Sequence, residues 1–192
     1  MKTYNPYYQQ RTESVINNAL SELTRIMALR IDLRLPPDYP DSPDDSKVIT
    51  RFFDSLKAKL RYDTVRKSSR WGRNLNNPLY YIWVREYGEM NNRRHYHLVL
   101  FVNKDIYHSP GVYNGENNLA SFIQQAWCSA TGLAWPVHSR LVHFPERGVV
   151  YLDRNSPELP AQLAALKQRT DYLAKDHTKP YHDGFRSFGT SR

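Results

Sequence analysis

The alternation of apolar and polar positions divides the chain into helices and strands. Val15, Ile16, Leu20, Leu23 and Ile26 recur at helical spacing, which predicts a helix from Glu13 to Met27 with Thr12 as its cap. Residues 1–11 read as a polar, Tyr-rich, flexible arm. In "ALRIDLRLP" the period changes to two. Leu29, Ile31, Leu33 and Leu35 face one side and Arg30, Asp32 and Arg34 the other, the pattern of a half-buried strand. After the acidic, Pro-rich loop "PPDYPDSPDDS", capped by Asp45 or Ser46, a second helix is expected from Lys47 to about Val65. A basic loop, "RKSSRWGRNLNNP", then leads into two strands, "LYYIWVREY" and "RHYHLVLFVN", joined by a hairpin at "GEMNNRR".

The second half repeats the alternation. "ENNLASFIQQAWCSATG" reads as a helix ended by Gly132. "RLVHF" and "GVVYLDR" are short strands, taken as a hairpin around Pro145 to Gly148. Ser156-Pro157 starts a last helix running to about Asp176, with Pro180 beyond it. Leu159, Leu163, Leu166, Thr170 and Leu173 form its buried stripe. The core order, β-α-β-β-α-β, is that of an α+β, ferredoxin-like domain: an antiparallel sheet of about five strands with helices packed on it. A doubly wound parallel sheet is not expected, because a hairpin joins the two clearest strands.

Composition narrows the partner. The 192 residues carry 27 Lys and Arg against 19 Asp and Glu, a net charge of +8, and Arg outnumbers Lys two to one. Arg suits bidentate phosphate contact, and 14 Tyr and 4 Trp offer stacking surfaces. Together they point to nucleic acid, single strands in particular. The lone cysteine, Cys128, excludes a disulfide framework or a cysteine zinc site and fits a reducing compartment. The N-terminus lacks the apolar core of a signal peptide, and no apolar run is long enough for a membrane span.

Candidate chemistry lies on the central hairpin. His95 and His97 are two apart on a strand and so point to one face. If Asn91-Asn92 is the turn, Glu86 sits opposite His97, with His95 next along that face. Two imidazoles and a carboxylate suit a divalent ion of the Mg2+ or Mn2+ kind with open positions. Glu89 is the next candidate for the carboxylate. A pair of exposed histidines on a solvated sheet face, or a zinc hydrolase drawing on His138 or His143, are the alternatives. On the last helix Tyr172 and Lys175 lie three apart beside the buried stripe. A tyrosine near a metal-bound phosphate can act as nucleophile, and an ammonium can offset the phosphate charge. Roughly 0.7 such Tyr-x-x-Lys pairs are expected by chance in this composition, so the pair gains meaning only with the histidines.

In order, these pieces resemble the HUH endonucleases, the single-strand nicking enzymes of rolling-circle replication. "HYHLVLF" is similar to their His-hydrophobic-His strand, Glu86 to the upstream carboxylate, and "YLAK" to the helix with the nucleophile tyrosine and following lysine. More closely, residues 12–192 resemble the short replication initiators of filamentous phages and related prophage elements. There the tail often reads as here: Thr178-Lys179, Arg186, Phe188-Gly189 and Ser191-Arg192. A first-strand motif common in rolling-circle initiators is not evident in "ALRIDLRLP", which leaves the role of Asp32 open. Tyr181, beyond Pro180, is not taken as a second nucleophile.

The resemblance implies a metal-dependent nick through a 5′-phosphotyrosine on Tyr172, with Lys175 assisting. Glu86, His95 and His97 would hold Mg2+ or Mn2+. It implies a single domain over residues 12–192 with a short basic C-terminal tail. The partners implied are single-stranded DNA or an origin hairpin, with a host helicase and polymerase, in the bacterial cytoplasm. Arg70, Trp71, Arg73, Arg93, Arg94 and Lys179 are the candidate DNA contacts. A non-catalytic nucleic-acid-binding protein, a transposase and a relaxase are the competing readings.

Overall fold

A computed structural model describes residues 4–37, 39, 47–88, 93–173 and 186–191. The element order is α1 (Pro6–Glu22), β1 (Arg25–Arg34), α2 (Val48–Trp71), β2 (Tyr80–Tyr87), β3 (Arg94–Asn103), α3 (Leu119–Thr131), β4 (Val142–His143), β5 (Val149–Asp153), α4 (Leu159–Leu173) and β6 (Phe188–Thr190). The sheet is antiparallel, in the order β4-β1-β3-β2-β6, with β5 on the same edge of β1 as β4. The expected α+β, ferredoxin-like core is therefore present, with six strands.

Both faces of the sheet are covered. The odd positions Met27, Leu29, Ile31 and Leu33 of β1 and the even positions Tyr96, Leu98, Leu100 and Val102 of β3 pack on α2 and α3, around Phe52 and Trp127. Ile26 and Ala28, Ile82 and Val84, and Val99 and Phe101 pack on α1 and α4. The central strands thus read as nearly continuous apolar runs, because neither side meets water. Each large side chain buried this way contributes roughly 1.5–3 kcal/mol.

Several boundaries differ from the sequence reading. α1 begins at Pro6, so most of the expected arm is helical: the Asn5 side chain accepts hydrogen bonds from the Tyr7 and Tyr8 N–H groups, and Pro6 fits the first helical turn. The helix ends at Glu22 because Ile26 and Met27 are buried in the sheet as strand residues. α2 runs past Val65 to Trp71, so Arg70 and Trp71 lie on a helix and not in a loop. Gly72, at φ 61°, supplies the left-handed turn that stops it. β4 and β5 do not form a hairpin. Both run antiparallel to β1, and the Arg30 N–H donates to the Gly148 carbonyl between them, so they are two pieces of one broken edge strand.

The tail is not merely basic. β6 pairs with β2, Phe188 stacks on Tyr8 with ring centroids 4.1 Å apart, and Ser191 Oγ accepts from the Tyr81 N–H. Gly189 lies against Trp83, where a Cβ would come within 2.5 Å of the indole. The tail therefore closes the sheet and ties down the start of α1. Among the described residues no helix is long and apolar enough to cross a membrane.

Candidate metal centre

One face of the sheet changes character along its length. On β3 the positions facing α1 and α4 are Phe101, Val99, His97 and His95; on β2 they are Tyr80, Ile82, Val84 and Glu86. Beyond the apolar stretch the same face turns polar and carries Glu86, His95, His97 and Asp32. The site is where the core ends and an open groove of about 480 Å³ begins, bordered by Arg34, Arg93, Arg94 and Leu141.

The register differs from the expected one by two residues. Glu86 lies directly opposite His95, and Val84 opposite His97. The pairing closes where the Gly88 N–H donates to the Arg93 carbonyl, so the connection is longer than an Asn91-Asn92 turn; residues 89–92, with Glu89, lie outside the described residues. A shift of two leaves every side chain on its face, whereas a shift of one would have reversed them. Glu86, His95 and His97 accordingly converge, each offering a ligand atom within 4.8 Å of the others.

The hydrogen bonds decide which ring nitrogens face the site. His97 Nδ1–H donates to Asp32 Oδ1 at 2.5 Å, across the β1–β3 pairing. His95 Nδ1 lies 3.2 Å from the Arg93 carbonyl, an acceptor, and so carries its proton there. Both Nε2 atoms are left to face one another at 3.1 Å, with Glu86 Oε2 3.4 Å from that of His97. Two imidazole lone pairs and a carboxylate oxygen at these distances could hold a metal ion among them. Histidine metal ligands ordinarily use one nitrogen this way while the other is held by a carboxylate or carbonyl.

The electrostatics agree. Burial lowers the proton affinity of His97, but the Asp32 and Glu86 carboxylates more than offset it, and its pKa is raised. Burial likewise raises the Asp32 carboxyl, yet His97 and Arg30, 3.7 Å away, hold it below the ordinary carboxylate value. Burial dominates at His95, which is shifted down toward the neutral, ligating form. The negative field that favours a proton on His97 also favours a divalent cation.

The tyrosine helix covers the same face. Its start is tied to the far end of the sheet: the Asp153 N–H donates to Gln162 Oε1, and Arg154 donates to the Leu20 and Ser21 carbonyls at the end of α1. α4 then runs back beside α1, the two helices lining a common cavity from Gln9 to Asn17 and from Leu163 to Asp171. The start of α1 stacks on Phe188, which pairs with Val84, itself opposite His97. Fifteen residues of helix span about 22 Å. The last turn of α4, with the backbone of Tyr172, therefore lies at the metal-centre end of the sheet. Leu166, Thr170 and Leu173 are buried as the periodicity expects. The Tyr172 side chain, Lys175, Lys179 and Tyr181 lie outside the described residues.

The expected DNA contacts separate. Arg93 and Arg94 line the groove. Arg70, Trp71 and Arg73 do not: α2 packs on the opposite face, and its C-terminal end leads into the start of β2, at the other end of the strands. Their basic and aromatic character marked them as candidates, but composition does not say on which face of the sheet a residue lies. Arg34 was missed, although the period-two pattern of β1 puts it on the face of Asp32. His143 pairs with Asp32 on β4, but neither it nor His138 joins the converging ligand atoms.

The family model for the YagK/YfjJ C-terminal domain matches residues 2–191. The chain belongs to this family. It is 39% identical to the uncharacterized protein YfjJ of Escherichia coli (strain K12), over 96% of this chain and 93% of YfjJ. It is 38% identical to the uncharacterized protein YagK of the same organism, over 94% of this chain and 91% of YagK. No solved structure matches. This YagK/YfjJ-type domain thus spans nearly the full length of both relatives, and Glu86, His95 and His97 belong to the matched region.

Proposed function

We propose that this chain is a replication initiation endonuclease that nicks single-stranded DNA through Tyr172 and rejoins it, using Mg2+ or Mn2+ held by Glu86, His95 and His97. The observation that carries the reading is the facing pair of Nε2 atoms beside the Glu86 carboxylate, with each Nδ1 bound to an acceptor. A bound divalent ion would supply Lewis-acid polarisation of the non-bridging oxygens of a phosphodiester.

The chain's own residues do the rest. Asp32 fixes the tautomer and angle of His97. Arg34 and Arg93, at the rim of the groove, draw the DNA backbone in. The Tyr172 oxygen attacks phosphorus: the Tyr O–P bond forms, the P–O3′ bond breaks, the phenol proton passes to solvent, and the departing 3′ oxygen takes up a proton. Lys175 offsets charge on the phosphate. The free 3′-OH is a primer for a host polymerase, with unwinding supplied by a host helicase, in the bacterial cytoplasm. The phosphotyrosine retains the energy of the broken bond, so a returning 3′-OH reverses the step without a co-reactant.

The test is a covalent adduct assay. With Mn2+ the purified protein is expected to cut a single-stranded origin oligonucleotide and to remain attached to its 5′ end. Tyr172→Phe should abolish the adduct and keep binding, and chelator should abolish it in the wild type. Adduct formation by the Phe variant would reassign the nucleophile. Metal-independent binding with no covalent product would place the chain among non-catalytic nucleic-acid-binding proteins.

A further inference from the structure

The exposed back of α2 and the segment after it carry features the metal centre does not use. Between residues 55 and 79 the chain has seven Lys or Arg and one acid, Asp63. Asp63 is buried and already bonded to Arg66, Lys67 and Tyr107. Arg61, Arg70 and Arg73 are exposed and have no ion pair among the described residues. Large side chains stand in water among them: Tyr62 is 74% exposed, Val65 64% and Trp71 41%. Arg61 and Tyr62, four and three residues before Val65, share one face with it, while Arg70 and Trp71 lie in the last turn of the helix and Arg73 just past its end.

Beside that face is a groove of about 380 Å³. Leu60, Val65, Leu75 and Leu79 give it apolar walls, and Lys57 and Arg61 stand at it as cations. Two polar groups in its lining lack partners. Asn77 Oδ1 accepts from the Asn103 N–H, which fixes the amide and leaves Nδ2 as a buried donor with no acceptor. Thr64 Oγ1 is likewise buried without a hydrogen bond. A planar group with apolar faces, an acceptor-bearing edge and an attached phosphate satisfies all of these together.

We propose that this groove takes one unpaired base of a DNA strand whose phosphates are followed by Arg61, Arg70 and Arg73. The inference rests on reading the chain as a nucleic-acid enzyme, but the contact is separate from the chemistry. The groove sits at the Asn103 end of β3 and the metal centre at the His95 end, eight residues apart, roughly 26 Å along the strand and on the opposite face. A base held in a duplex cannot enter the groove, so the site distinguishes single from double strands. It would hold a strand by a segment remote from the scissile phosphate, so that substrate length and not only origin sequence governs affinity.

The experiment is fluorescence anisotropy in EDTA with a labelled single strand of about 25 nucleotides, alongside photo-crosslinking of the same strand carrying 4-thiothymidine. The Arg61→Gln/Thr64→Val double variant is expected to bind about tenfold more weakly, with the salt dependence reduced by about 0.7 for the lost phosphate contact. Crosslinks on the wild type should map to residues 57–79, and equally in a Glu86→Ala background. Unchanged affinity in a variant that melts like the wild type would overturn the proposal, as would crosslinks confined to residues 93–97. So would a blunt duplex that binds as tightly as the single strand and loses as much in the variant. Neither chemistry nor metal enters this measurement, so a negative adduct assay leaves its outcome readable, and the reverse holds.

Discussion

Asp32 illustrates how much a single side chain contributes without touching a ligand position. Its carboxylate holds His97 Nδ1–H at 2.5 Å and so turns Nε2 toward His95 and Glu86. Asp32→Asn is expected to weaken Mn2+ binding by about 10- to 100-fold, measured by calorimetric titration, because the ring loses both orientation and basicity. Glu86→Gln, which removes the anionic ligand, should weaken it at least as much; unchanged affinity would remove Glu86 from the centre. Asp63 plays a purely structural part. Burial by itself would raise its carboxyl, but Lys67, Arg66 and Tyr107 more than offset that and hold its pKa below the ordinary value. Removing it leaves the buried Tyr107 hydroxyl without its acceptor and the largely buried Lys67 ammonium without its counter-charge, while the half-exposed Arg66 returns to water, and Asp63→Ala should cost about 1–3 kcal/mol. Because the folded pKa is depressed, the ionised carboxylate stabilises the fold fully above the unfolded value of about 3.9 and ceases to as pH falls through the lower folded value. In urea melts the gap between wild type and Asp63→Asn should therefore be widest above about pH 5, begin to narrow near the unfolded value of about 3.9, and close only as pH falls through the lower folded value.

At the scale of elements, β6 is the least obvious, and it ties three parts of the fold together. Three residues pair with β2, stack on α1 and press a glycine onto Trp83. Gly189→Ala puts a methyl within 2.5 Å of the indole, so either the ring or the strand must shift. A loss of about 1–3 kcal/mol in thermal melts is expected. A variant that melts like the wild type would show that β6 does not bind the sheet as described. The β2–β3 hairpin makes the complementary point. Its register differs from the simplest turn by two residues, yet Glu86, His95 and His97 still converge because side chains alternate with a period of two.

For the whole molecule, the sheet is a partition. One face runs from the α1–α4 core into the candidate metal site; the other holds the α2–α3 core and the basic back of α2. β3 and β1 are flanked by strands on both sides and covered on both faces, whereas β4 and β6 are short edges. Native-state hydrogen exchange should be slowest in β1 and β3 and fastest in β4 and β6. Equal protection throughout would show that the sheet opens only as one unit. The partition also means that cations distributed along the sequence cannot all serve one phosphate, which is why Arg93 and Arg70 belong to different surfaces.

The sequence alone determined what local periodicity can carry. His95 and His97 share a face because a strand alternates. The stripe from Leu159 to Leu173 is buried because those positions align on a helix. Glu86 is within reach because a hairpin returns the chain on itself, whatever the even register. Tertiary structure decided the rest, since it depends on contacts between residues far apart in the chain. Asp32 became a partner of His97 only when β1 paired with β3, 65 residues apart. Phe188 and Gly189 read as a basic tail until pairing with β2 made them a strand. Arg70, Trp71 and Arg73 read as DNA contacts together with Arg93 and Arg94 until the crossover put α2 behind the sheet, because a crossover helix takes the face on which its apolar stripe can be buried and carries its charges with it.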